Sequence, residues 1–282
     1  MTHHLTPADG EGVVLDVTPD TAGWQYLSFR VVRLGAGARH AEQRPGEETA
    51  VVPLRGRCTA TIGGAAYELA RSDVFAELPH VLYVPPDVAF ELLAGDGCEV
   101  AIGSAPAEGR YPVRWFEPDD MKVEIRGGGG ALRQVNHVLA PPLPAERLIL
   151  YEVYVPRGSW SGWPPHCHDG YDGSPYLEET YYFRTDPADG FALHRNWRVD
   201  ENFDETFAAD DGDLVLVTKG YHSSAAAPGS HVYFLNFLAG ELVDEQRVTP
   251  PCFHQSYTWI EQDWDRDGWE LPVVGRLQPG RA

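Results

Sequence analysis

Apolar positions in this chain fall in short runs, and almost nowhere at the three-to-four-residue spacing of an amphipathic helix. Strand-like runs occupy residues 26–33, 49–54, 58–62, 90–93 and 98–102 in the first half. In the second half they occupy 147–155, 179–183, 191–197, 213–217 and 231–238. They are rich in β-branched and aromatic residues, which suit a pleated, half-buried surface. The 29 glycines and 23 prolines of the 282 residues lie between the runs as turn punctuation. Many short strands bounded by turn signals predict an all-β fold, a sandwich or a barrel.

The two halves share a plan. In the first, Arg55-Gly-Arg-Cys58 opens a short strand that ends at a Gly63-Gly64 turn, and Ser72-Asp-Val-Phe75 and Tyr83-Val-Pro-Pro86 follow. In the second, Asp211-Gly-Asp-Leu-Val-Leu-Val217 leads into Lys219-Gly-Tyr-His222. A polar turn precedes an apolar strand in both, and a turn with Gly or Pro follows. This reads as two copies of one β-barrel module, residues 1–125 and 126–282. The run Arg126-Gly-Gly-Gly-Gly130 between them is a flexible turn. It lacks the spacing and the following helix of a nucleotide-binding loop.

Charge narrows the function classes. Asp and Glu number 42 against 22 Lys and Arg, a net charge of −20. Such a chain is poorly suited to nucleic acid or an anionic membrane. An anionic substrate must therefore be drawn in locally, by a metal or a few fixed cations. Cys58, Cys98, Cys167 and Cys252 form no CxxC pair. They read as free thiols in a reducing cytoplasm, with one or two disulfides as the alternative. No run of about 18 apolar residues suits a membrane span, and the opening MTHHLTPADG has no apolar signal core.

The segment richest in chemistry is Pro164-Pro-His166-Cys-His168-Asp169. On a strand, i and i+2 share a face, so the two imidazoles point the same way. Glu179 opens a later strand, and His222 follows a glycine turn. Three imidazoles and a carboxylate can hold a divalent first-row metal and leave positions open for substrate or water. Unrelated polar residues are the competing reading. The first half has no equivalent set: His40 and Glu42 stand alone, and His80 reads as a surface or packing residue.

The pattern of HxH and Glu in one stretch, then Gly and His in the next, resembles the cupin pattern. More narrowly, the chain resembles the 5-deoxy-glucuronate isomerase family of inositol catabolism, related to the uronate isomerase of pectin breakdown. The resemblance rests on Arg133-Gln-Val-Asn136, Pro164-Pro-His-Cys-His-Asp169, Leu177-Glu-Glu-Thr-Tyr-Tyr182, Gly190-Phe-Ala-Leu193, Asp204-Glu-Thr206, Gly220-Tyr-His222 and Tyr233-Phe-Leu-Asn236. It implies two tandem cupin barrels, each a double-stranded β-helix of jelly-roll type. Only the second would hold the metal, on His166, His168, Glu179 and His222. Zn comes first, and Mn, Fe, Co and Ni are also compatible. The implied reaction is aldose–ketose isomerisation of 5-deoxy-glucuronate to 5-dehydro-2-deoxy-gluconate through an enediol.

Strand alternation puts Tyr181 on the face of Glu179, as an acid or hydrogen-bond donor, and Glu178 on the opposite face. A sugar-acid substrate needs a cation for its carboxylate, and Arg195 and then Lys219 are the expected anchors. Trp160, Trp163 and Trp197 are expected either to stack a sugar or to pack. Cys167, His194, Lys219 and Ser223 depart from the family's pattern around the pocket. A divergent metal-dependent cupin enzyme (a biosynthetic isomerase or a dioxygenase) and a non-catalytic sugar-acid-binding bicupin therefore stay open. Exposed barrel edges would allow a homo-oligomer.

Overall fold

The structure is a computed structural model, and it describes residues 2–249, 252–266 and 268. The all-β expectation holds: the described residues contain one short α-helix, Pro19–Ala22, and a few 3-10 turns among the strands. The N-terminal module is an eight-stranded antiparallel sheet. Gly12–Val17, Ser28–Leu34, Phe90–Pro106, Glu47–Ile62, Val81–Val84 and Arg114–Phe116 lie side by side, with Arg39–Glu42 and Ala65–Arg71 paired at the flanks. The C-terminal module sets two sheets face to face. One orders His4–Leu5, Leu214–Val217, Leu177–Asp186, His231–Gly240, Ile149–Val155, Arg133–Leu139 and Lys122–Arg126. The other orders Phe203–Asp210, Phe191–Arg198, Tyr221–Ala226, Trp160–Cys167 and Cys252–Phe253.

Two strands do not respect the division expected at 125/126. Lys122–Arg126 pairs with Arg133–Leu139, so that cut runs through a strand of the second module. His4–Leu5 pairs with Leu214–Val217, so the start of the chain completes the distant sheet. Residues 269–282 of the expected second module lie outside the described residues.

The period of two along each strand sorts side chains into three apolar regions. Val32, Val51, Leu69, Leu82, Leu92 and Ile102 fill the N-terminal barrel, leaving it apolar. Phe183, Val215 and Phe234 pack inside the C-terminal barrel. Phe29, Leu54, Tyr83, Tyr182, Leu235 and Phe237 form a third core between the modules. Thus in His231–Gly240 the side chains of Phe234, Asn236 and Leu238 look into the C-terminal barrel. Tyr233, Leu235 and Phe237 look at the other module. Each large apolar side chain so buried contributes about 1.5–3 kcal/mol. The modules approach so closely that a Cβ on Gly103 would stand 2.2 Å from the Phe237 ring.

Buried carboxylates rivet this interface. Glu178 accepts the backbone N–H groups of Gln25, Tyr26 and Leu27 at 2.6, 2.9 and 2.8 Å. Glu48 accepts those of Glu146, Arg147 and Leu148 at 2.7, 2.6 and 2.7 Å, and the Tyr83 hydroxyl at 2.8 Å. Arg71 and Glu152 form a fully buried pair, at 2.5 and 3.1 Å. The four cysteines are free. Among the described residues no helix is long and apolar enough to cross a membrane.

Candidate metal centre

His166 and His168 project from the end of Trp160–Cys167 and the residue beyond it. His222 lies directly across from His166 on Tyr221–Ala226. The nitrogens these three imidazoles offer lie within 4.8 Å of one another. Glu179 enters from the facing sheet, its Oε2 2.9 Å from His168 Nε2 and 3.3 Å from His222 Nε2. Two contacts fix this arrangement. His168 Nδ1 is 3.1 Å from the Leu177 carbonyl, to which it donates, leaving the Nε2 lone pair for the centre. Asp169 accepts the Gly220 N–H at 2.8 Å and ties the turn before His222 to the HxH strand. Gly220 has φ +76°, and a Cβ there would strike the Trp197 carbonyl at 2.2 Å, so the turn requires glycine.

The electrostatics suit a cation. Burial, with repulsion from His168, pushes His166 down to about 3. Burial and the neighbouring imidazoles hold His222 far below its ordinary value. Both rings are therefore neutral, with lone pairs free to ligate. Burial opposes charge on His168, but the Glu179 carboxylate outweighs it and raises that histidine's pKa. Burial raises Glu179. Both ring nitrogens of His222 are buried with no hydrogen-bond partner among the described residues. Such orphaned groups cost of order 1–3 kcal/mol each, a cost that coordination relieves. Three converging imidazoles, two of them held neutral and one of those unpartnered, with a carboxylate fit a divalent metal.

Above this cluster opens a cleft of about 520 Å³, partly open to solvent. Tyr181 lines it from the strand of Glu179, and its ring lies 5.7 Å from that of His222. Burial and the nearby Glu179 charge push its phenol well above the ordinary range, so it stays protonated. Glu178, on the opposite face, serves the module interface.

The expected carboxylate anchors do not reach the cleft. Arg195 points outward from Phe191–Arg198, whose inward positions are Ala192, His194 and Asn196. It grips Asp204 at 2.8 and 2.7 Å and lies 4.5 Å over the Trp197 ring. Lys219 pairs with Glu201 at 2.5 Å and sits over Phe203. The arginines that line the cleft are instead Arg133, half-buried, and Arg126, which is exposed. Arg133 and Val135 share a face of Arg133–Leu139, and this i, i+2 parity was the signal available in the sequence.

The departures from the family pattern also find places. Cys167 faces away from the histidines, its thiol against the carbonyls of Tyr171 and Cys252. His194 is buried beside Tyr181, with its nitrogens 2.8 Å from Ser224 and 2.9 Å from Asn196, so neither is free to ligate. Ser223 and the three tryptophans line a separate groove on the outer face of the five-stranded sheet. In the first module His40 is satisfied by Glu42 at 3.1 Å, and His80 stacks on Trp115 at 4.8 Å.

Known proteins share this architecture. A 5-deoxy-glucuronate isomerase of Geobacillus kaustophilus is 40% identical over 236 residues, 82% of this chain and 85% of that protein. Its namesake in Bacillus subtilis strain 168 is 33% identical over 240 residues, 83% of this chain and 88% of that protein. An IolB-like protein from Salmonella typhimurium superposes with a TM-score of 0.86 at 32% identity, covering 93% of this chain and all of that one. A Bacillus subtilis oxalate decarboxylase variant shares the fold alone, with a TM-score of 0.61 at 14% identity over 88% of this chain and 79% of that one. The KduI/IolB family profile matches residues 1–260, and the chain belongs to that family.

Proposed function

We propose that this protein is a metal-dependent aldose–ketose isomerase that converts 5-deoxy-glucuronate to 5-dehydro-2-deoxy-gluconate through an enediol. The observation that carries the reading is the convergence of His166, His168, His222 and Glu179 at the floor of a cleft shared with a protonated Tyr181 and the Arg133 guanidinium. The relatives named 5-deoxy-glucuronate isomerase, at up to 40% identity over most of their length, support the substrate. His166, His168, His222 and Glu179 would hold the metal. Zinc is the first choice, and Mn, Fe, Co and Ni accept the same donors. When bound, the cation supplies Lewis-acid polarisation of the C1 carbonyl and a template for the C2 hydroxyl.

The chain's own residues do the rest. His168 is held in one tautomer by the Leu177 carbonyl, so the donor set is pre-oriented. Tyr181 Oη keeps its proton and donates a hydrogen bond to the oxygen that gains charge as the enediol forms. Val135, Val153, Phe234 and Leu238 give the cleft apolar walls that limit water around the reacting carbons. The setting is the reducing cytoplasm, as the four free cysteines suggest.

The test pairs metal analysis of the purified protein with NMR of 5-deoxy-glucuronate in deuterated water, with and without chelator. Chelator-sensitive ketose formation, with deuterium appearing at C1, is the expected result. A stoichiometric metal with no turnover would sink the substrate assignment while leaving the metal centre standing.

A further inference from the structure

Arg133 is unusual in so acidic a chain. Its Nη1 donates to the backbone carbonyls of Ala131 at 3.1 Å and Trp163 at 3.4 Å. Its other N–H groups make no hydrogen bond among the described residues, and no carboxylate there lies within ion-pairing distance. Arg126, beside it, is already engaged by Glu124 at 2.6 Å. Several other arginines have an acidic partner: Arg195 has Asp204, Arg198 has Asp200, and Arg184 has Asp211. Arg133 is also held in place. A Cβ on Gly127 would stand 2.8 Å from Nη1, so glycine there makes room for the guanidinium. The two carbonyls fix one side of its guanidinium, and Arg133 lines the cleft together with His166, His168, Glu179 and Tyr181.

A half-buried guanidinium with an open fork and no counter-ion is a receptor for a planar anion. We propose that Arg133 is the specificity-determining residue that binds the substrate's carboxylate, at the end of the sugar acid remote from the metal. The proposal rests on the isomerase reading for the identity of the reacting end. It assigns the acid-recognising role to a residue on the seven-stranded sheet, not to Arg195 or Lys219. The carboxylate supplies the missing partner of the fork, and the three histidines and Glu179 receive the aldehyde end. Selection of sugar acids over neutral sugars then follows from one residue.

The test measures binding as well as turnover. D-Glucuronate and its neutral counterpart D-glucose are titrated calorimetrically into the metal-loaded wild type, Arg133→Gln, Arg133→Lys and Arg126→Gln, with metal content checked in each. Wild type should prefer the acid, and Arg133→Gln should lose roughly 100-fold in acid affinity with little change toward glucose. Arg133→Lys should recover part of the preference, and Arg126→Gln should keep most of it. On 5-deoxy-glucuronate, Arg133→Gln should raise KM far more than it lowers kcat. A wild type without acid preference, or an Arg133→Gln that keeps it, overturns the assignment. So does a variant that loses acid and neutral sugar alike, because that marks a structural role. If the wild type shows an Arg133-dependent acid preference but does not turn over 5-deoxy-glucuronate, the isomerase reading fails and the Arg133 assignment stands.

Discussion

Glu178 and Glu179 are neighbours in sequence, both almost fully buried, and the structure gives them unrelated jobs. Glu178 collects three backbone N–H groups of the other module, whereas Glu179 faces His168 and His222. Replacing Glu178 by Ala removes the charge-assisted hydrogen bonds of three backbone N–H groups, besides that of the part-exposed Tyr176 hydroxyl, which can turn to water, and leaves three backbone donors at the module interface. At about 1.5 kcal/mol apiece, with some recovery by entering water, the loss is about 4 kcal/mol. For a chain of this size each kcal/mol moves Tm by about 2–3 °C, so Glu178→Ala should melt about 8–12 °C lower. Its metal content per folded molecule should not change. Glu179→Gln, nearly isosteric, should behave in the opposite way. It removes a buried anion with no backbone donors to abandon, so the metal-free protein should keep its stability within about 1 kcal/mol. Metal retained after a chelator wash should fall at least about 10-fold. Scanning calorimetry and elemental analysis of the two variants decide the matter. If Glu178→Ala sheds metal at unchanged Tm, or Glu179→Gln unfolds while holding its metal, the assignment of faces by strand alternation is wrong.

Three further outcomes follow from the same geometry. Between about pH 5 and 6.5 the folded, metal-free protein binds fewer protons than the unfolded chain. The cause is burial, which pushes His166 down to about 3 and His194 to about 4, and which with the neighbouring imidazoles holds His222 well below its ordinary value. Stability from these groups is therefore full above about pH 6.5 and falls on acidification by roughly 1.4 kcal/mol per pH unit for each. Glu179 and His168, both raised, act in the reverse sense but are outnumbered. Urea midpoints of chelated protein should thus drop toward pH 5, and a flat profile would contradict this. Tyr181→Phe should lower kcat by about 10²–10³ with metal content intact; steady-state kinetics with metal analysis would reveal an unaffected enzyme if Tyr181 only packs. Gly103→Ala should cost about 1–3 kcal/mol by driving a methyl group into the Phe237 ring, visible as a lower denaturation midpoint with unchanged metal binding.

The His166–His168 pair was legible because it needs only short-range parity: the two share a face whatever the rest of the chain does. Arg195 was misplaced for a physical reason. In Phe191–Arg198 the usual pattern is inverted, with Phe191 and Leu193 exposed and His194 and Asn196 buried. An alternation rule that puts apolar residues inside therefore turns the strand the wrong way round. Parity with Val135 gave the strand face of Arg133, but the orientation of its guanidinium depends on the Trp163 carbonyl, which reaches it only through the fold. The module boundary was off by one strand because residues 122–126 carry no compositional mark of the sheet they join. Only pairing decides it.

The strand His4–Leu5 bears on how the molecule is made. His3 reaches Glu205 and His4 reaches Asp213, each at 2.7 Å, and the strand they begin closes the edge beside Leu214–Val217, itself next to the strand of Glu179. During synthesis this segment leaves the ribosome long before its partner exists. It must wait unpaired while more than 200 residues follow it, as the separation of 209 between His4 and Asp213 requires. The barrel that emerges last is thus sealed by a segment that emerged early. A nascent chain stalled before residue 214 carries an unclaimed strand in search of an edge, the kind of species that pairs with a neighbouring polypeptide. The arrival of Leu214–Val217, not completion of the first barrel, is the event that lets this sheet close.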